Sequence, residues 1–185
     1  MDTVFSVLAG LGLAAACGFR VFVPLLVAGI AARAGMIQPS PDFAWLGSNT
    51  ALLALGLATV LEVGAYYIPW LDHALDTLAS PAAVVAGSTM VAAMAVDMDP
   101  LVRWSLAIIA GGGLAATVQT GTVAARGASF TLTGGVSNPV VSTGELGGAL
   151  ATSAVAVVAP GLALLGLVAL GLLFANHLIR RRKRA

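Results

Sequence analysis

At least four stretches of this chain are apolar for about 20 residues or more, the length a helix needs to cross about 30 Å of hydrocarbon. The spans are read as residues 4–34, 50–67, 81–96, 101–125 and 146–178, the third short and the fifth long for one crossing. Turn chemistry separates them: Gln38 to Asp42 with two prolines, Ile68-Pro69-Trp70, and Asp97-Met98-Asp99-Pro100. Between the fourth and fifth lies a polar run, 129–145. With 59% hydrophobic and 9% charged residues among 185, the composition excludes an ordinary soluble domain. The expected fold is an all-α polytopic membrane protein: one transmembrane domain over 1–179, about five transmembrane helices, and a basic cytoplasmic tail at 180–185.

Charge placement orients that arrangement. Arg180, Arg181, Arg182, Lys183 and Arg184 gather five of the nine positive side chains behind the last apolar stretch. Basic flanks favour the cytoplasm, so the C-terminus is expected inside. Five crossings then put Arg33 and Arg103 inside, Arg126 outside and the Asp72 to Asp76 turn outside; a first or last stretch folded back as a hairpin makes the count six. A terminal cluster does not form the basic face a nucleic-acid binder needs, which excludes that partner. The lone Cys17 supports neither a disulfide framework nor a cysteine metal site. Without a basic start or a convincing cleavage site, the first stretch is expected to belong to the mature protein.

The chain also resembles itself. Ala9, Gly10, Gly12, Leu13, Ala14 and Ala15 recur as Ala110, Gly111, Gly113, Leu114, Ala115 and Ala116. Three crossings between the copies would make them an inverted repeat, a construction that places transporter sites where broken helices meet. Shared Ala/Gly composition of membrane helices is the plainer explanation.

Several residues carry candidate chemistry. Arg20 lies deep in the first stretch between Gly18 and Pro24, and a cation there must be paired or face water. Pro24 frees the Arg20 carbonyl from its helical bond. Glu62 is the one acid inside the second stretch. Arg20 and Glu62 each lie about 20 Å from the loop joining the two stretches at 1.5 Å per residue, so an Arg20–Glu62 pair is expected. That pair either fixes helix register or releases one partner to an ion or proton. Residues 66–78 describe a short interfacial helix, with Trp70 in an aromatic belt and Asp72, His73 and Asp76 on the other face. Those three could hold a divalent cation, although a solvated polar face is the simpler reading. The hydroxyl- and glycine-rich run 131–145, with Asn138-Pro139 as its turn and Glu145 at its end, reads as a surface loop or a re-entrant lining. Gln119 adds a polar group within the fourth stretch.

The chain resembles a family of small bacterial inner-membrane proteins known as domain of unknown function four-one-two-six. The resemblance rests on Gly18-Phe19-Arg20 with Pro24-Leu25-Leu26, on Leu61-Glu62 followed by Ile68-Pro-Trp-Leu-Asp-His73, and on Asn138-Pro139 with Ser142 to Glu145. Two departures stand out: Tyr66-Tyr67 occupies the place of a charged pair, and Glu145-Leu146 that of a more acidic pair. The resemblance implies the bacterial inner membrane and a shared framework of Arg20, Glu62, Asp72 and Asn138, but no activity.

No nucleophile triad, phosphate loop or paired-histidine motif appears, so neither an enzyme nor a cofactor is expected. The leading function is passage of a small ion or polar solute at Arg20, Pro24, Glu62, Gln119, Asn138 and Glu145. A scaffold or lipid-binding protein is the alternative. Expected partners are membrane lipids and the transported solute, with self-association into a homo-oligomer left open.

Overall fold

In the computed structural model the described residues are 3–134, 136–163, 165–166 and 168–169, for 69–76 the backbone alone. Their regular structure is entirely helical: α1 (Thr3–Cys17), α2 (Phe22–Arg33), a 3-10 turn (Pro41–Gly47), α3 (Asn49–Ala65), α4 (Pro69–Met94), α5 (Pro100–Leu106), a π-helical stretch (Ala107–Gly112), α6 (Gly113–Thr133) and α7 (Asn138–Val158). Three helical runs are long and apolar enough to cross a membrane: Thr77–Met94, Pro100–Thr133 and Asn138–Val158. A fourth results if the Pro41–Gly47 turn and α3, bent by 64°, count together.

The first apolar stretch is not one span. It breaks at residues 18–21 into helices of 15 and 12 residues, about 22 and 18 Å at 1.5 Å per residue, both short of a crossing. Pro24 sits in the first turn of α2, where a missing N–H costs nothing. The two helices return to the same end of the molecule. Thr3 and Val4 line a shallow pocket with Met98, while the connection after α2 is tied to the α4–α5 turn. That tie consists of the Ser40 amide donating to the Ala93 carbonyl at 2.7 Å and Arg103 pairing with Asp42 at 2.9 Å. Arg33, at the end of α2, donates to Asn49 at the start of α3. Helices α1 and α2 are therefore a fold-back hairpin whose tip is Arg20, and the expectation of a single first crossing is corrected.

The fold-back also corrects the inverted repeat. Gly10 of α1 and Gly111 of the π stretch both abut Val91 of α4. Residues 3–10 descend α4 from its C-terminal turn toward Val91, and Gly111 and Gly112 descend it from Val91 toward Val84. Both copies run antiparallel to α4, hence parallel to each other.

Two further boundaries differ from expectation. Residues 69–94 form one helix with Pro81 inside it, so the short helix expected within 66–78 is continuous with the span that follows. The polar run 131–145 is not a long loop: α6 continues to Thr133, Gly134 ends it in the left-handed conformation at φ 63°, and α7 begins at Asn138. Asp99 caps α5 as its Asp-Pro sequence suggests, its side chain accepting from the Leu101 amide.

Residue size is distributed inside-out. Leu53, Leu57, Val60 and Leu61 of α3 and Ile109 of the π stretch are exposed, whereas the interior is built largely of alanines such as Ala9, Ala14, Ala83 and Ala92. Small residues let backbones approach: a Cβ on Gly87 would lie 2.8 Å from the Gly111 carbonyl oxygen, and one on Gly111 would lie 2.6 Å from that of Gly87.

Candidate functional site

The buried faces of α6 and α7 are polar stripes. On α6 the buried residues are Ala115, Gln119, Thr122, Arg126 and Ser129; on α7 they are Asn138, Ser142, Glu145, Ala149, Ser153, Ala156 and Val157. Most recur at spacings of three and four, one face of a helix, so the α6–α7 hairpin turns its polar sides inward. Arg126 lies seven residues before the end of α6 and Glu145 seven after the start of α7. Both are thus about 10 Å along their helices from the hairpin turn.

At that level the two side chains form the shortest ion pair among the described residues. Arg126 Nε donates to both Glu145 carboxylate oxygens at 2.9 and 3.1 Å, and its Nη2 lies 2.5 Å from Oε2. A forked, charge-assisted contact of this kind holds both planes in register. Nearer the turn, Ser129 Oγ donates to Asn138 Oδ1 at 2.8 Å and pairs with Ser137 Oγ at 2.7 Å, joining the helix ends.

The tip of the α1–α2 hairpin enters this frame from the side. Gly18 makes the entry possible, because a Cβ there would fall 2.5 Å from the Ala115 carbonyl oxygen and 2.9 Å from the Gln119 amide nitrogen. Arg20, 2% exposed, extends Nη2 to the Ser142 carbonyl at 3.0 Å and to Glu145 Oε2 at 3.6 Å. Tyr66, just past α3, offers its ring to both cations: the guanidinium carbons of Arg20 and Arg126 stand 3.9 and 4.2 Å from its ring centre.

Glu62 reaches the same level without meeting Arg20. Its carboxylate accepts from the Val21 amide at 2.7 Å and the Phe22 amide at 3.1 Å, which are unsatisfied donors at the start of α2. The expected Arg20–Glu62 ion pair is thus replaced by Arg20–Glu145, with Glu62 serving as a cap supplied by another helix. Arg126, expected in an outside loop, is a buried member of the cluster. Its helical spacing from Gln119, Thr122 and Ser129 was the signal that the polar composition of the segment obscured.

Not every donor is matched. Among the described residues, Arg20 Nε and Nη1 and Gln119 Nε2 have no acceptor, and Ser142 Oγ has no partner, although these residues are all at least 96% buried. Two grooves flank the tip. One, of about 580 Å³, lies between α2, α3 and α4 with Glu62 and Tyr66 in its wall; the other, of about 350 Å³, is bounded by Phe19, α6 and α7 and includes Glu145. Of the other residues singled out in the sequence, Pro24 is buried beside the tip and Asn138 in the hairpin turn. The side chains of Trp70, Asp72, His73 and Asp76 lie outside the described residues, as do His177 and the tail 180–185.

Fold and site define a class: an all-helical protein whose apolar helices suit insertion in a membrane, enclosing a cluster that includes, among the described residues, Arg20, Arg126, Glu62 and Glu145. The chain belongs to the family described as Domain of unknown function (DUF4126), whose profile matches residues 7–181. Comparison with curated proteins and with solved structures finds no match to this chain.

Proposed function

We propose that the protein passes a small ion or small polar solute across the bacterial inner membrane, without enzymatic chemistry. In this reading α3, α4, the α5–α6 run and α7 make four crossings, and the α1–α2 hairpin is re-entrant. The end carrying Arg33 and Arg103 faces the cytoplasm, where basic residues concentrate.

The observation that supports passage is the guanidinium of Arg20, 2% exposed and with two N–H groups unmatched. A cluster that only held helices together gains nothing from such groups, since a buried unsatisfied donor costs about 1–3 kcal/mol. A site that takes up a solute needs them. The flanking grooves give the solute two approaches to the hairpin tip.

Purified protein in liposomes should pass at least one simple anion, cation or proton faster than empty liposomes. Arg20→Gln retains hydrogen bonding without the charge, and should abolish or redirect that selectivity while the protein remains folded. Flux no greater than in empty liposomes would overturn the proposal. The groove beside α3 favours a second reading: its walls include Val21, Phe22, Leu61 and Leu78, a surface that fits an acyl chain. A lipid-binding protein without flux would retain a co-purifying lipid there.

A further inference from the structure

The larger groove grades from apolar to acidic. At its rim Leu61 of α3 and Leu78 of α4 are exposed, Phe22 of α2 and Ala58 of α3 are half-buried, and at its floor Glu62 and Tyr66 are 8% and 3% exposed. Its volume of about 580 Å³ falls in the range of sites that hold drug-sized organic molecules. Leu61 belongs to the bulky outer surface of α3 that suits a bilayer, so the rim opens where lipid would lie. A molecule that enters there needs an apolar body.

Glu62 decides what one end of that molecule carries. Each carboxylate oxygen accepts one backbone amide, Val21 on Oε1 and Phe22 on Oε2, and an ionised carboxylate has about four lone-pair sites. About two remain. Among the described residues no cation stands within ion-pair distance of Glu62, whereas Arg20 and Arg126 both reach Glu145. Those two guanidiniums lie against the Tyr66 ring and do not line the groove. The acceptor sites left on Glu62 suit a group that donates N–H and carries positive charge. A hydrated metal ion is a poor match, because apolar walls and one carboxylate do not supply the several oxygens that a hard cation takes.

We infer that this groove binds an amphiphilic amine, its protonated nitrogen on Glu62 and its apolar body between α2, α3 and α4. The passage reading concerns a small solute at Arg20, so this site goes beyond it and stands whether or not flux is found.

The probe is 1-naphthylmethylamine, which is fluorescent and protonated at neutral pH, titrated against the protein in nanodiscs of zwitterionic lipid. Empty nanodiscs measure its partition into the lipid. Binding should saturate above that background. The matching alcohol, 1-naphthylmethanol, has the same ring and no charge; it should bind at least about tenfold more weakly, the usual worth of a hydrogen bond to a charged group. Glu62→Gln should lower the affinity for the amine to that for the alcohol. Ala58→Phe fills the groove while leaving the carboxylate in place, and should weaken the binding of both. If either variant does not fold, the amine and alcohol compared on the unaltered protein decide.

Equal affinity for amine and alcohol overturns the amine and leaves the acyl-chain groove. Amine binding that Ala58→Phe leaves unchanged overturns the location. Uptake no greater than in empty nanodiscs overturns the inference outright and leaves the passage reading, which flux decides, untouched.

Discussion

At the residue scale, buried charge governs the site. Arg126 and Glu145 form a forked pair 3–6% exposed, so removing one partner takes from the other its closest charge-assisted contact. Arg126→Met or Glu145→Met should each cost roughly 3–5 kcal/mol, and the double replacement should recover much of that loss. Unfolding in graded denaturing detergent would measure the cycle, and additive losses would mean the pair is not coupled. The height of Arg20 and Glu62 was legible in the sequence, because residue counts from a shared loop convert to depth at a fixed rise. Their partners were not. At that height Glu62 encountered two unsatisfied amides of α2, and Arg20 encountered a carboxylate from a segment read as loop.

At the element scale, close backbone approach sets where the hairpin tip can lie. Gly18→Ala must push the tip away from Ala115 and Gln119, because no flexible side chain there can yield to the new methyl group. The variant should lose about 1–3 kcal/mol, the usual cost of overpacking. Gly113→Ala, with nothing within 4 Å of the added methyl, should be neutral or slightly stabilising by helix propensity. Equal effects in a detergent-unfolding comparison would contradict the packing described. Helix existence was legible from apolar length and turn chemistry, and the start of α5 from Asp99-Pro100. The extents of α6 and α7 were obscured by Ser, Thr and Gly. Such residues mark loops in water, yet in an inside-out protein they line the interior of a helix pair.

On the scale of the whole molecule, the route of the first 33 residues decides the topology. With α1 and α2 folded back, a reporter ahead of Thr3 and one in the Asp97–Asp99 turn should lie on the same side of the membrane. One in the turn after Thr133 should lie opposite. Accessibility labelling at inserted cysteines would check all three; opposite sides for the first two would restore a first crossing. Apolar length alone could not reveal this reversal, because a 31-residue stretch serves equally for one long span or two short helices. The distinction lies in contacts of Thr3, Ser40 and Asp42 with distant residues. Four reversals instead of three then make the two similar segments parallel.

The hairpin tip has a consequence for the order in which the protein is made. Arg20 donates to Ser142, 122 positions further along the chain, and its carboxylate partner comes three residues later still. At about 5–20 residues per second, roughly ten seconds of synthesis separate the arginine from the helix that receives it. Throughout that interval α1 and α2 carry a charged tip with neither span length nor its carboxylate partner. If the helices insert in a membrane, the earliest of them should reach their final depth only after α7 has emerged.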